Sequence, residues 1–118
     1  MDGPGGSLRI LVVEDDPDIR ELLVDSLSVD AEVEGAADGL DALERLRLDP
    51  LPSVILLDLR MPRLSGLELL RLLEAAPGHP PVVTMSACTS SAPPGAAAHL
   101  QKPFSIASAL AALRRACA

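Results

Sequence analysis

The sequence predicts an α/β fold, a doubly wound parallel sheet of five strands, and three observations predict it. Two short runs, residues 10–13 and 54–57, are continuously apolar and rich in β-branched side chains, as strands buried on both faces are. Between and after them come segments whose leucines recur at helical spacing, so strand and helix alternate along the chain. Both apolar runs end in acids, Glu14-Asp15-Asp16 and Asp58, and the C-terminal ends of parallel strands border the crevice where such sheets bind ligands.

The elements follow in order. Leu8-Arg9-Ile10-Leu11-Val12-Val13 is the first strand. Pro17 suits the first position of a helix with Asp16 as its N-cap, and the helix runs over about residues 17–28 with Ile19, Leu22, Leu23 and Leu27 as its inward stripe. A weak alternating segment around Val33, within residues 31–37, reads as an edge strand. Asp38-Gly39 opens a second helix carrying Leu40, Leu43 and Leu46, and Asp49-Pro50-Leu51-Pro52 closes it. The central strand ends at Asp58, a residue that also suits a turn cap. A loop with Pro62 and Gly66 leads to a third helix, with Leu67, Leu70 and Leu73 or Leu69 inward, stopped by Pro77-Gly78. Residues 81–86 form the fourth strand and 98–101 a short fifth, ended by Lys102-Pro103. A last helix starts near Ser105 and turns Ile106, Leu110, Leu113 and Cys117 inward.

One crossover lacks its helix. A mean helix takes about 11 residues and its flanking loops about 2–6 each, and only residues 87–97 lie between the last two strands. Pro93, Pro94 and Gly95 break helices where they stand. The expectation is an irregular loop with at most one helical turn at residues 95–98, so the fourth helix is largely missing.

The composition narrows the function classes. The 118 residues make one domain with enough apolar side chain for a core. A formal charge of −7 argues against direct nucleic-acid binding. No apolar run reaches bilayer length and the N-terminus has no signal-peptide pattern, so the expected location is cytoplasmic with no membrane partner. Cys88 and Cys117 lack metal-ligand spacing and are expected as free thiols. Phe104 is the sole aromatic.

In the flavodoxin-like strand order 2-1-3-4-5, Glu14, Asp15, Asp58, Ser86 and Lys102 each follow a strand's C-terminal end and converge on one crevice. Three carboxylates against one ammonium leave a surplus of two negative charges, which one divalent cation balances. All-oxygen ligands favour Mg²⁺.

The pieces Leu11-Val12-Val13-Glu14-Asp15-Asp16, Leu57-Asp58-Leu59-Arg60-Met61-Pro62 with Ser65-Gly66, Ser86-Ala87 and Lys102-Pro103-Phe104 stand in one register over residues 8–117. Together they resemble a response-regulator receiver domain of two-component signalling, chemotaxis-receiver-like, with a shortened fourth-helix region. The resemblance implies a receiver over residues 8–118 behind a flexible segment, residues 1–7. It implies that Asp58 accepts a phosphoryl group from a histidine kinase or phosphotransfer protein. Glu14, Asp15, Asp58 and the Arg60 backbone carbonyl would hold Mg²⁺, and Lys102 would neutralise the transferred group. Ser86 would bind the phosphoryl group as a switch. Asp16 is left as a helix cap, and Lys102-Pro103 is expected to be cis, as the family usually has it. His99 stands where the family usually has an aromatic switch residue, and reads equally as a half-buried strand residue. Arg60 and Cys88 occupy positions that tune phosphoryl lifetime in the family. Output would run through contact with a downstream protein, read through the loop of residues 88–98 or the first helix.

Two other classes compete. A pseudo-receiver would act as a phosphorylation-independent interaction module, and the intact acids argue against it. An aspartyl-phosphate hydrolase wants a second carboxylate two residues after the nucleophile, where this chain has Arg60. The chain is therefore expected to be a signalling switch rather than a turnover enzyme.

Overall fold

The computed structural model describes residues 8–88 and 91–118. The segment expected to be flexible, residues 1–7, lies outside the described residues, as do Thr89 and Ser90 of the expected loop. The elements run β1 (Arg9–Val13), α1 (Pro17–Leu27), β2 (Glu32–Ala36), α2 (Gly39–Arg45), β3 (Val54–Asp58), α3 (Gly66–Glu74), β4 (Val82–Ser86), β5 (Ala98–Gln101) and α4 (Ile106–Ala116). All four strand pairings are parallel and the order is β2-β1-β3-β4-β5, the flavodoxin-like arrangement the sequence predicts.

Alternation along the strands builds two cores. Leu11, Val13, Ile55, Leu57 and Val82 face α2 and α3. Ile10, Val12, Val54, Leu56, Val83 and Met85 face α1 and α4, and Phe104 packs at the margin of that second layer. β3 is buried along its whole length, as a central strand covered on both faces must be.

The helices sit where their start signals put them. Asp16 caps α1, its carboxylate accepting from the N–H groups of Asp18 (2.9 Å) and Ile19 (3.3 Å). Asp38 caps α2 and Ser65 caps α3, the latter in a reciprocal box with Glu68.

Leu43, Leu46, Leu69, Leu70 and Leu73 lie inward as expected, and the faces of α2 and α3 depart from the expected ones only at their first position. In α2 the inward set is Gly39, Ala42, Leu43 and Leu46, and Leu40 is exposed. In α3 it is Gly66, Leu69, Leu70 and Leu73, and Leu67 is exposed. Both sets are strict i, i+3, i+4, i+7 stripes that begin at a glycine, where the helix meets its neighbour most closely. Leu22 of α1 is also exposed, because Ile19, Leu23 and Leu27 already complete the stripe. Cys117 is exposed at the C-cap of α4 rather than inward, since the helix has ended there.

Between β4 and β5 no helix forms among the described residues. The expected helical turn at residues 95–98 is instead a β-turn. The N–H of Ala96 donates to the carbonyl of Pro93 at 3.1 Å, and Gly95 takes φ +92°. Proline followed by a positive-φ glycine is type II turn chemistry, which a helix does not accommodate. Ala97 then donates to the carbonyl of Val82 at 2.8 Å and the ladder resumes. On the face that a crossover helix would cover, Thr84 pairs in register with His99, and the Thr84 hydroxyl meets His99 Nδ1 at 2.8 Å. Hydrogen-bonded polar side chains stand there in place of a helix's apolar stripe.

Candidate functional site

The site forms at the C-terminal edge of the sheet, because four parallel strands end there. After β1, Glu14 is tied down on three sides. Its N–H donates to Ala36 O at 3.1 Å. Its carbonyl accepts from Arg20 Nη1 at 2.9 Å, and its Oε2 accepts from the Asp16 N–H at 3.2 Å. These contacts hold a carboxylate that is only 1% exposed. Asp15 next to it stays exposed.

β3 delivers Asp58, 5% exposed, whose Oδ1 accepts from the Arg60 N–H at 3.2 Å. The chain turns sharply after it, because Gly66 lies against the Asp58 backbone. A Cβ there would sit 2.3 Å from the Asp58 carbonyl oxygen, so only glycine allows α3 to start this close.

β4 and β5 complete the pocket. Ser86 is buried, with its Oγ accepting from the Cys88 N–H at 3.0 Å. The Lys102 N–H donates to Ser86 O at 2.9 Å, and the Lys102-Pro103 peptide is cis, as the resemblance implies. The Lys102 ammonium reaches back to Glu14 Oε1 at 2.8 Å and lies 3.6 Å from Asp58 Oδ2. Arg60 turns its guanidinium onto the Cys88 thiol, bridging the loops after β3 and β4.

The charges perturb one another. Burial, a hydrogen bond with Glu14 and the charge of Glu14 hold the Asp15 carboxyl above its usual range. For Lys102, burial pulls the ammonium down, but the hydrogen bond to Glu14 and the charges of Asp58 and Glu14 outweigh it, and its pKa is raised. One carboxylate oxygen from each of Glu14, Asp15 and Asp58 lies within 4.8 Å of the others, an all-oxygen donor set suited to a hard divalent cation.

The structure thus brings Glu14, Asp15, Asp58 and Lys102 together and joins Ser86 to Lys102 through the backbone. His99 stands apart on the sheet face, held by Thr84. Sequence reasoning missed Arg20, which anchors Glu14, and the contact of Arg63 with Asp38 below the loop after β3. Nothing in sequence separates either arginine from one that faces solvent.

Comparison with known proteins agrees with this architecture. "Response regulator MprA" from Mycobacterium ulcerans is 41% identical over 115 residues, covering 92% of this chain and 49% of the relative. The chain therefore spans about half the length of the curated relatives it matches. Among solved structures, the receiver domain of the Francisella response regulator 1452 superposes with a TM-score of 0.82 at 27% identity, over 94% of this chain and 97% of that one. The Vibrio cholerae chemotaxis protein CheY4 gives 0.79 at 28%, over 94% and 99%. The family model of the response regulator receiver domain matches residues 10–114, and the chain belongs to that family, the receiver module of two-component signalling.

Proposed function

We propose that Asp58 accepts a phosphoryl group from the phosphohistidine of a histidine kinase or phosphotransfer protein, with Mg²⁺ in the acidic pocket. The observation that carries this reading is the Lys102 ammonium lying against both Glu14 and Asp58, in a cluster of three carboxylates. One positive charge against three negative ones calls for a divalent cation. One carboxylate oxygen from each of the three acids lies within 4.8 Å of the others, an all-oxygen donor set of the kind Mg²⁺ takes. Glu14, Asp15, Asp58 and the Arg60 carbonyl would hold the ion, which would neutralise charge on the transferring group.

The chain's own groups carry the rest. Asp58 attacks phosphorus as the bond from phosphorus to the donor imidazole nitrogen breaks. The bonding pair leaves with the imidazole, and an acyl phosphate forms on Asp58. The Arg60 N–H orients the Asp58 carboxylate through Oδ1. Lys102, kept protonated by its neighbours, offsets charge on the phosphoryl oxygens. Ser86 Oγ accepts a hydrogen bond from Cys88, which leaves its own O–H to donate to a phosphoryl oxygen. Ser86 and His99 would then form the switch, His99 moving with β4 through its bond to Thr84.

In this reading the protein is a cytoplasmic switch that retains its product, and its phosphorylated state is read by contact with a downstream protein. A phosphorylation-independent interaction module needs neither the carboxylate cluster nor the lysine on it. The test is intact mass after incubation with acetyl phosphate, with and without Mg²⁺, beside Asp58→Asn. A single phosphoryl adduct requiring both Mg²⁺ and Asp58 is expected. No adduct, together with no Mg²⁺ binding, would sink the proposal in favour of the interaction module.

A further inference from the structure

The loop of residues 59–65 joins β3 to α3 and carries Arg60 past the Asp58 carboxylate. Its ends are clamped, since the Gly66 N–H donates to Leu59 O at 3.2 Å and Gly66 lies against the Asp58 carbonyl. Its middle is held by different means. Arg63 takes φ +64°, the only non-glycine positive φ among the described residues. Arginine gains nothing locally from that conformation, so its side chain is the place to look for a reason.

The Arg63 guanidinium meets Oδ2 of Asp38, whose Oδ1 caps α2 by accepting from the Asp41 N–H at 2.8 Å. The Asp38 side chain is 13% exposed and that of Arg63 is 62% exposed. An ion pair open to water on one side adds little global stability. It does fix a loop in place. Beside it, Leu64 packs so closely on Gly39 that a Cβ there would lie 2.9 Å from the Leu64 carbonyl oxygen. The N-terminus of α2 is thus a platform on which the loop is seated.

We propose that Arg63 is a positioning residue for the acidic pocket: by pinning the loop to Asp38 it sets where Arg60 presents its backbone, and thereby the affinity for Mg²⁺. This rests on the reading of the pocket as an Mg²⁺-dependent phosphoacceptor site. Groups that orient metal ligands from outside typically account for about 10–100-fold in affinity, and an exposed pair belongs at the lower end.

The test uses the whole chain as Arg63→Ala, Arg63→Gly and Arg63→Lys. Mg²⁺ binding is measured by titration calorimetry, Arg60 amide exchange by NMR, and phosphorylation by acetyl phosphate across a Mg²⁺ series. Thermal unfolding of the metal-free proteins shows that each variant folds. Arg63→Ala and Arg63→Gly are each expected to weaken Mg²⁺ binding about 10-fold and to speed Arg60 amide exchange. The Mg²⁺ needed for half-maximal phosphorylation should rise by the same factor, with the rate at saturating Mg²⁺ retained. Arg63→Lys should stay within about 3-fold of the wild type, since it keeps the charge. The glycine variant separates side chain from backbone, because glycine adopts the left-handed conformation freely. Wild-type affinity in the alanine or glycine variant, or a lysine variant as weak as alanine, overturns the proposal. A wild type that binds Mg²⁺ and is phosphorylated while its variants are indifferent overturns this inference alone, whereas a wild type that does neither overturns the pocket reading with it.

Discussion

At the scale of single residues, Asp15 sets stability against function. Burial and the neighbouring Glu14 raise its carboxyl pKa, so its site disfavours the charged form that a metal ligand needs. Asp15→Asn is expected to raise the melting temperature of the metal-free protein. Repulsion at an exposed carboxylate is worth a few tenths of a kcal/mol, which in a domain of this size is about 2 °C. The same variant should lose Mg²⁺ binding, and calorimetry beside thermal unfolding checks both outcomes. Lys102 behaves in the opposite sense. Its pKa is higher in the folded chain than in the unfolded one, so its pairing contributes fully below the unfolded lysine value and is lost as pH rises through the folded value. Lys102→Met should therefore cost about 1–2 kcal/mol at neutral pH, less than a fully buried pair, because 22% of the lysine side chain meets water. The gap to the wild type should begin to close only above pH 10.5, the ordinary lysine value, as denaturant melts across pH would record. The convergence of Glu14, Asp15, Asp58 and Lys102 was legible because each follows a strand end. Arg63 and Arg20 were not, because their partners lie 25 and 6 residues away on other elements and neither arginine sits in a motif.

Among the elements, helix starts were easier to read than helix ends or faces, since α2 stops at Arg45 well before the expected close at residues 49–52. Caps are local chemistry, and Asp16, Asp38 and Ser105 all stand at the starts they announce, while Ser65 caps α3 without a cap being expected there. Leucine-rich helices are ambiguous about their inward side, because leucines at adjacent positions satisfy more than one stripe. Their spacing alone puts Leu40 and Leu67 inward for that reason, and the close approaches at Gly39 and Gly66 decide the matter instead. Asp16→Ala removes two hydrogen bonds from the first turn of α1 and should cost about 1 kcal/mol. It should leave phosphorylation intact, since Asp16 is engaged in the cap, and a loss of the phosphoryl adduct would show that it belongs to the pocket. Gly66→Ala is expected to be far worse, at least about 2–3 kcal/mol, because the added carbon meets backbone rather than a movable side chain. Chemical denaturation compares the two directly.

Over the whole molecule, the parallel sheet explains why a crossover helix can be lost without dispersing the site. The pocket residues sit at strand ends, and strand order is set by the ladder, so residues 87–97 need only bring β5 back alongside β4. Composition revealed that this segment cannot hold a full helix; it could not reveal the compensation, a Thr84–His99 pair formed across two strands. Among the described residues this surface carries no helix between β4 and β5 for a second copy to pack against. After acetyl phosphate treatment the protein is expected to remain monomeric by light scattering at micromolar concentration, and a phosphorylation-dependent dimer would overturn that expectation.

The aromatic content carries a practical consequence. With no tryptophan, no tyrosine and one phenylalanine, the chain is optically almost silent in the near ultraviolet. Phe104 lies two residues beyond Lys102, at the margin of the α1 and α4 layer. A tryptophan placed there would be the sole fluorophore of the molecule, free of background and covalently close to the group that lies on Asp58, so every event in the pocket would have one reporter and one spectrum.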